Sequence, residues 1–306
     1  MRLKVIRELY AHFKTESDSL TTSLKNLKVS IDKTYELYHL MLRLVVEVAA
    51  YAEERLELAR QKKLPTSADL NPNRRFVDNV VVRQIAQSKV LDERLKQYDL
   101  GWENDPELIK TLYSELVESD LYKRYMNANF NSYKNDMQVV DGFYYKIVAE
   151  NEQIEDVLEE RSILWADDLD FVIIMVLRTV SMCRPSQKDL RLLPEFKNES
   201  DERFARELFT ATLTGYREYM DDVEDFTKNW DVERIAFLDS LIMVTAIAEF
   251  LNFPSIPVKV TMDEFLEIAK HYSTLSSSIF INGVLDKVVD KLQAAGRIDK
   301  IGRGLL

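Results

Sequence analysis

His12, His39, His271 and Cys183 are the side chains of this 306-residue sequence most suited to holding a metal or acting as a nucleophile. They are scattered without metal-ligand spacing, and a single thiol cannot build a zinc knuckle. Phosphate-cradling and nucleophile-elbow motifs are missing too: there is no Walker loop, G-x-G-x-x-G, H-E-x-x-H or G-x-S-x-G. Glu150 to Asp170 holds nine acidic residues against one basic. Paired carboxylates do acid–base or metal chemistry only when they converge and are desolvated, and these are spread along a helix as a solvated face. Tyr122 to Lys134 interleaves aromatic and basic residues, as a surface stacking single-stranded bases would. Yet Tyr122, Tyr125, Met126 and Tyr133 also fit one helical stripe, and buried packing is the favoured reading. The chemistry expected is therefore that of binding, with no enzyme activity, metal or cofactor.

Charge says what could be bound. The formal net charge is −11, which argues against a protein that coats nucleic acid indiscriminately. Its distribution is uneven: residues 1–14 carry Arg2, Lys4, Arg7 and Lys14 against Glu8, and residues 286–303 carry five basic groups against three acidic. Between Arg217 and Asp239 eight acidic residues face three basic ones. On charge alone these are solvated helix faces. If the two ends meet, they make a basic patch on an acidic body, and the acidic helix suits a basic partner.

Helices must position these groups. Hydrophobic residues make up 46% of the chain, ample for a sizeable core, and only seven Gly and seven Pro leave little turn chemistry for a sheet protein. An all-α fold is expected. Lone Cys183 fits a reducing compartment and a cytoplasmic location. The longest apolar runs, Phe171 to Leu177 and Leu241 to Ala248, fall far short of the ~20 residues of a membrane span, and Arg2, Lys4, Arg7 and Glu8 break any signal-peptide core.

Leu3, Ile6, Leu9, Tyr10 and Phe13 recur at helical spacing, predicting an amphipathic first helix with Lys4 and Arg7 on its exposed side. Ser19 to Lys62 reads as a long helix, followed by loops at 63–75 and 101–106; Cys183 to Glu202 reads as a loop. Thr261-Met-Asp-Glu264 has the form of a capping box. Near the end, Ser276 or Ser277 is placed to cap a helix whose Ile281, Leu285, Val288 and Leu292 form a core-facing stripe. Phe280 lies at the margin of that stripe, and Gly283 costs the helix roughly 1 kcal/mol relative to Ala.

The octapeptide Phe280-Ile-Asn-Gly-Val-Leu-Asp-Lys287 resembles the F-x-N-G-V-L-D-K signature of the NusB transcription antitermination factors. Other stretches are similar to that family in order. Arg2 and Leu9-Tyr10 match its first helix, and Phe204 to Leu213 falls on its Y-x-x-x-L helix. Trp230 to Arg234 matches W-x-x-x-R. Asp239 to Phe250 keeps Asp239, Ala246 and Glu249 of another helix, with Val244 replacing an arginine. Glu264, Glu267, Ala269 and Lys270 match a further one. The resemblance covers about 14 residues at the start and about 105 at the end.

It implies an all-α bundle in three stretches: residues 1–14 as first helix, 15–199 as a helical insertion, and 200–306 as the NusB-like domain. A weak echo of Trp230, Asp239 and Leu241 to Val244 in Trp165, Asp170 and Val172 to Val176 allows a diverged second unit near 140–180. By the same resemblance the protein binds boxA RNA of nascent ribosomal transcripts together with the ribosomal protein NusE, within the antitermination complex of RNA polymerase. Arg2, Lys4, Arg7, Ser276 and Phe280 are the implied RNA-side residues, and Tyr10, Asp239 and Phe280 the implied partner-side ones. For Tyr10 a core tyrosine with its hydroxyl at the rim stands level with contact; for Phe280 contact is favoured. Ser276 stands where some relatives carry Asp, and the basic run before the first helix is shorter than in the family, which implies weaker RNA affinity. A related fold heads certain ribosomal RNA methyltransferases, but no cofactor-binding domain is expected in this length. The competing expectation is a helical scaffold in which the insertion dominates and RNA binding is lost.

Overall fold

The computed structural model describes residues 1–15, 19–187, 189–227 and 236–305, and among them there are α-helices and no strand. Two compact units divide the chain: Met1–Ile31 with Phe196–Leu306, and Asp32–Glu195. The boundary differs from the expected 15–199. The second helix runs unbroken over Leu20–Arg60, so its opening turns belong with the chain termini and the rest with the insertion. Helical periodicity continues across position 31 and so carries no mark of the division.

The terminal unit is built around α12 (Phe237–Asn252). Residues 239–250 of this helix are buried on every side, as a helix apolar all round must be. It packs against α1 (Arg2–Lys14), α11 (Glu199–Thr227), α13 (Val258–Tyr272) and α14 (Leu275–Ala294). Val5, Ile6 and Leu9 of α1, Leu208 and Phe209 of α11, Phe265 of α13, and Ile281, Leu285, Val288 and Leu292 of α14 complete one core. The expected stripe on α14 is the buried one. Its cap is neither Ser276 nor Ser277: Thr274 accepts from the Ser277 amide at 3.1 Å. The capping box at 261–264 does not form either, because α13 starts a turn earlier, at Val258. After α14 the tail folds back, Ile301 donating to the Pro254 carbonyl at 3.0 Å. Gly304 sits so close to that carbonyl that a Cβ would come within 1.9 Å of its oxygen.

The insertion unit has its own core. The later turns of α2 supply Leu37 to Ala52, and α4 (Val80–Ala86), α5 (Lys89–Tyr98), α6 (Pro106–Glu118), α8 (Tyr133–Gly142) with its π-helical continuation Phe143–Val148, and α10 (Leu169–Met182) close around them. Loop 63–75 contains a short helix, α3 (Ser67–Leu70), held by a capping box between Thr66 and Asp69. Tyr122 to Lys134 is not one stripe. It is split between α7 (Asp120–Met126) and α8; Tyr125 is buried and donates to Asp136, Tyr133 is half-buried and donates to Gln84, and Phe130 alone among these aromatics is well exposed. The acidic stretch follows α9 (Glu152–Arg161) as an outward face, while Asp168 is buried and accepts from Thr34 at 2.7 Å. The echo near 140–180 is one of composition: α10 exposes Phe171 and Ile174, unlike α12, and Trp230 lies outside the described residues.

Candidate functional site

Arg2 leads inward. Through Nε and Nη2 it donates to both carboxylate oxygens of Glu249 at 2.8 Å, and through Nη1 to Glu264 at 3.1 Å, with its guanidinium over the Phe204 ring. Burial works against the Arg2 charge, but the two carboxylates more than offset it and hold its pKa above the ordinary value. Thr261, no cap, donates to Glu249 at 2.7 Å. Two expected RNA-side groups are thus corrected: Arg2 is engaged by two carboxylates, and Lys4 is buried rather than displayed on the outer face of α1.

The other half of α1 presents a surface. Since Arg2 meets Glu249 near the end of α12 and Tyr10 meets Phe237 at its start, the two helices run antiparallel. Arg2 and Tyr10 contact points on α12 are about 18 Å apart at ~1.5 Å rise per residue. Tyr10 is 41% exposed, its ring 5.6 Å from that of Phe237, and the Lys14 ammonium lies over both rings, at 5.6 and 4.9 Å. A cleft of about 430 Å³ opens beside them, lined by Leu3, Ile6, Arg7, Tyr10, Phe237 and Tyr272 among others. Cation over aromatic beside an apolar cleft suits a ligand with both a flat or apolar body and negative charge.

The same end of the bundle holds the junction of α13 and α14. There Ser273 donates to Asp239 at 2.6 Å, which buries the Asp239 carboxylate and takes it from the surface where a partner would meet it. Three residues on, Ser276 is exposed, and Phe280 is half-buried one turn later. The structure thus brings Arg7, Tyr10 and the start of α14 to the α12 N-terminal end and places Arg2 at the other. Trp230 to Arg234 lie outside the described residues.

Sequence reasoning missed Phe237 and Tyr272, which no spacing links to Tyr10. Lys14 was legible, standing four residues after Tyr10 on a helix. The acidic helix is also corrected. Lys291 donates to Asp222 and Asp225 at 2.7 and 2.8 Å, and Arg297 pairs with Asp222 and Glu218, so the basic C-terminal segment neutralises α11 within the unit. Hydrogen bonds to these aspartates hold the Lys291 pKa above its ordinary value. Among the described residues no group of three or more His, Cys, Asp or Glu is arranged to hold a metal, and no helix is long and apolar enough to cross a membrane.

Comparison with known proteins gives a consistent set of relatives. A family model described as the NusB family matches residues 184–290. The transcription antitermination protein NusB of Salinibacter ruber is 40% identical over 114 residues, 37% of this chain and 71% of its own length. Those of Chloroherpeton thalassium and Natranaerobius thermophilus are 35% and 33% identical, over 34% and 32% of this chain and 49% and 70% of their own lengths. No solved structure matches.

Proposed function

The chain belongs to the NusB family, and on that premise we propose that it is a cytoplasmic, non-enzymatic antitermination factor that binds boxA-type RNA of nascent ribosomal transcripts together with the ribosomal protein NusE. One observation carries the reading. Tyr10 of the first helix and Phe237 and Tyr272 of the last ones, more than two hundred residues apart in sequence, line one cleft at the end of the bundle where α14 begins. In this proposal Arg7 and Lys14 meet phosphates, Ser276 and Phe280 approach the RNA from α14, and Tyr10 and Phe280 meet the protein partner. Arg2, Lys4 and Asp239 act in holding the unit together. The RNA polymerase complex enters through these two ligands.

A gel-shift titration with boxA RNA, with and without NusE, tests it. Binding is expected to be salt-sensitive and strengthened by NusE. Arg7→Ala should lower the salt slope by about one and Phe280→Asp should weaken binding, while Arg2→Ala leaves the slope unchanged. No binding at low salt with NusE present rejects the reading. It would favour a helical scaffold that has lost RNA, an alternative supported by the internal pairing of Arg2, Lys291 and Arg297.

A further inference from the structure

Gly283 stands in the middle of α14, where a glycine weakens a helix, and nothing in the fold requires it. A Cβ built there would meet no atom within 4 Å, and the backbone is ordinary helix. At about 100° per residue, Ser276, Ile279, Gly283, Asp286, Lys287 and Asp290 share the side opposite the buried stripe, and all six are exposed. Ile279, one turn before the glycine, is 70% exposed. Asp286 and Asp290, one and two turns beyond it, have no ion pair among the described residues, and only Lys287 opposes them on this face.

These features select among occupants. A bare helix backbone flanked by an exposed isoleucine admits close approach of another main chain. Two unpaired carboxylates against one lysine repel phosphates and attract cations. We propose that the α14 face centred on Gly283 docks a basic polypeptide segment. Its main chain lies against the glycine, an apolar side chain covers Ile279, and lysine or arginine reaches Asp286 and Asp290. The proposal rests on the reading that the chain engages a ribosomal protein, and it names the surface and the chemistry of that contact.

The test uses the full chain as wild type, Gly283→Ala and Asp290→Lys. NusE is titrated by calorimetry, boxA RNA by gel shift, and self-association is followed by sedimentation. Gly283→Ala should melt about 2 °C higher, since it gains helix propensity without a clash. It should nevertheless bind NusE about ten-fold more weakly, because the added methyl holds the partner off. Asp290→Lys should also weaken NusE binding, most at low salt. RNA binding by the chain alone should not change. Wild-type affinity for NusE in both variants overturns the docking face while leaving the family reading intact. Lost RNA binding with NusE binding unchanged makes nucleic acid the occupant, and a dimer abolished by Gly283→Ala makes it a second copy; either result overturns the proposal. A wild-type chain that binds neither ligand sinks both readings.

Discussion

Glu249 is sealed from water yet receives three hydrogen bonds, two from Arg2 and one from Thr261, so its charge is satisfied only while α1 and α13 are both in place. Removing one partner of a buried pair strands the other. Glu249→Ala should therefore cost about 3–5 kcal/mol of stability in urea unfolding, against under about 1 kcal/mol for the exposed Glu264→Ala. Equal effects would mean that the buried pair does not fasten the first helix. His39 in the insertion unit offers a pH-dependent counterpart. Its ring is enclosed by Tyr35, Tyr38 and Tyr98, Nδ1 donates to the Tyr35 carbonyl, and Nε2 has no partner among the described residues. Burial pushes its pKa from 6.5 down to about 4, against the pull of that carbonyl and with Arg94 adding to the fall. The unfolded chain therefore takes up the proton first. Stability that His39 contributes is complete above pH ~6.5 and drains away as the pH drops towards ~4, on the order of 2–3 kcal/mol. Urea midpoints of wild type and His39→Phe across that range should show a shallower slope in the variant.

At the scale of elements, α14 separates what local pattern reveals from what it hides. Ile281, Leu285, Val288 and Leu292 were legible because a helix repeats its inward face every three or four residues, whatever it packs on. Leu285→Ala should cost about 2–5 kcal/mol. Where α14 begins was not legible: Ser273, Thr274, Ser276, Ser277 and Ser278 are all capable caps, and the Ser273 bond to Asp239, 34 residues away, places the turn so that Thr274 takes the role. Thr274→Ala should cost about 1 kcal/mol and Ser276→Ala only a few tenths. Thermal melts that rank them the other way would put the cap back on Ser276. Helix α13 teaches the same lesson: Thr261 and Glu264 have the spacing of a capping box, yet Glu249 and Arg2 draw both side chains away. Arg2 and Lys4 looked like RNA-facing cations for the corresponding reason. Spacing along α1 shows which residues share a face, not that a carboxylate 247 positions later meets one of them.

On the scale of the whole molecule, the all-α character followed from scarce glycine and proline, and the limits of the insertion stayed hidden because α2 passes through one of them. Net charge was likewise a poor guide to surface charge, since Asp222 and its neighbours on α11 are answered by Lys291 and Arg297. Residues 32–195 enclose a core to which no terminal helix contributes. Expressed alone, that segment should be helical and melt cooperatively; a broad, non-cooperative transition would make the division one of contacts and not of folding. The terminal unit carries a different burden. Val5, Ile6 and Leu9 are among the first residues to leave the ribosome, yet the helices they cover, α12 and α14, are among the last. Through most of translation the oily side of α1 has no native place to go, while the segment made in between can already close. A nascent chain stalled before residue 237 should accordingly recruit chaperones or be clipped at α1, and release of the complete chain should remove that vulnerability.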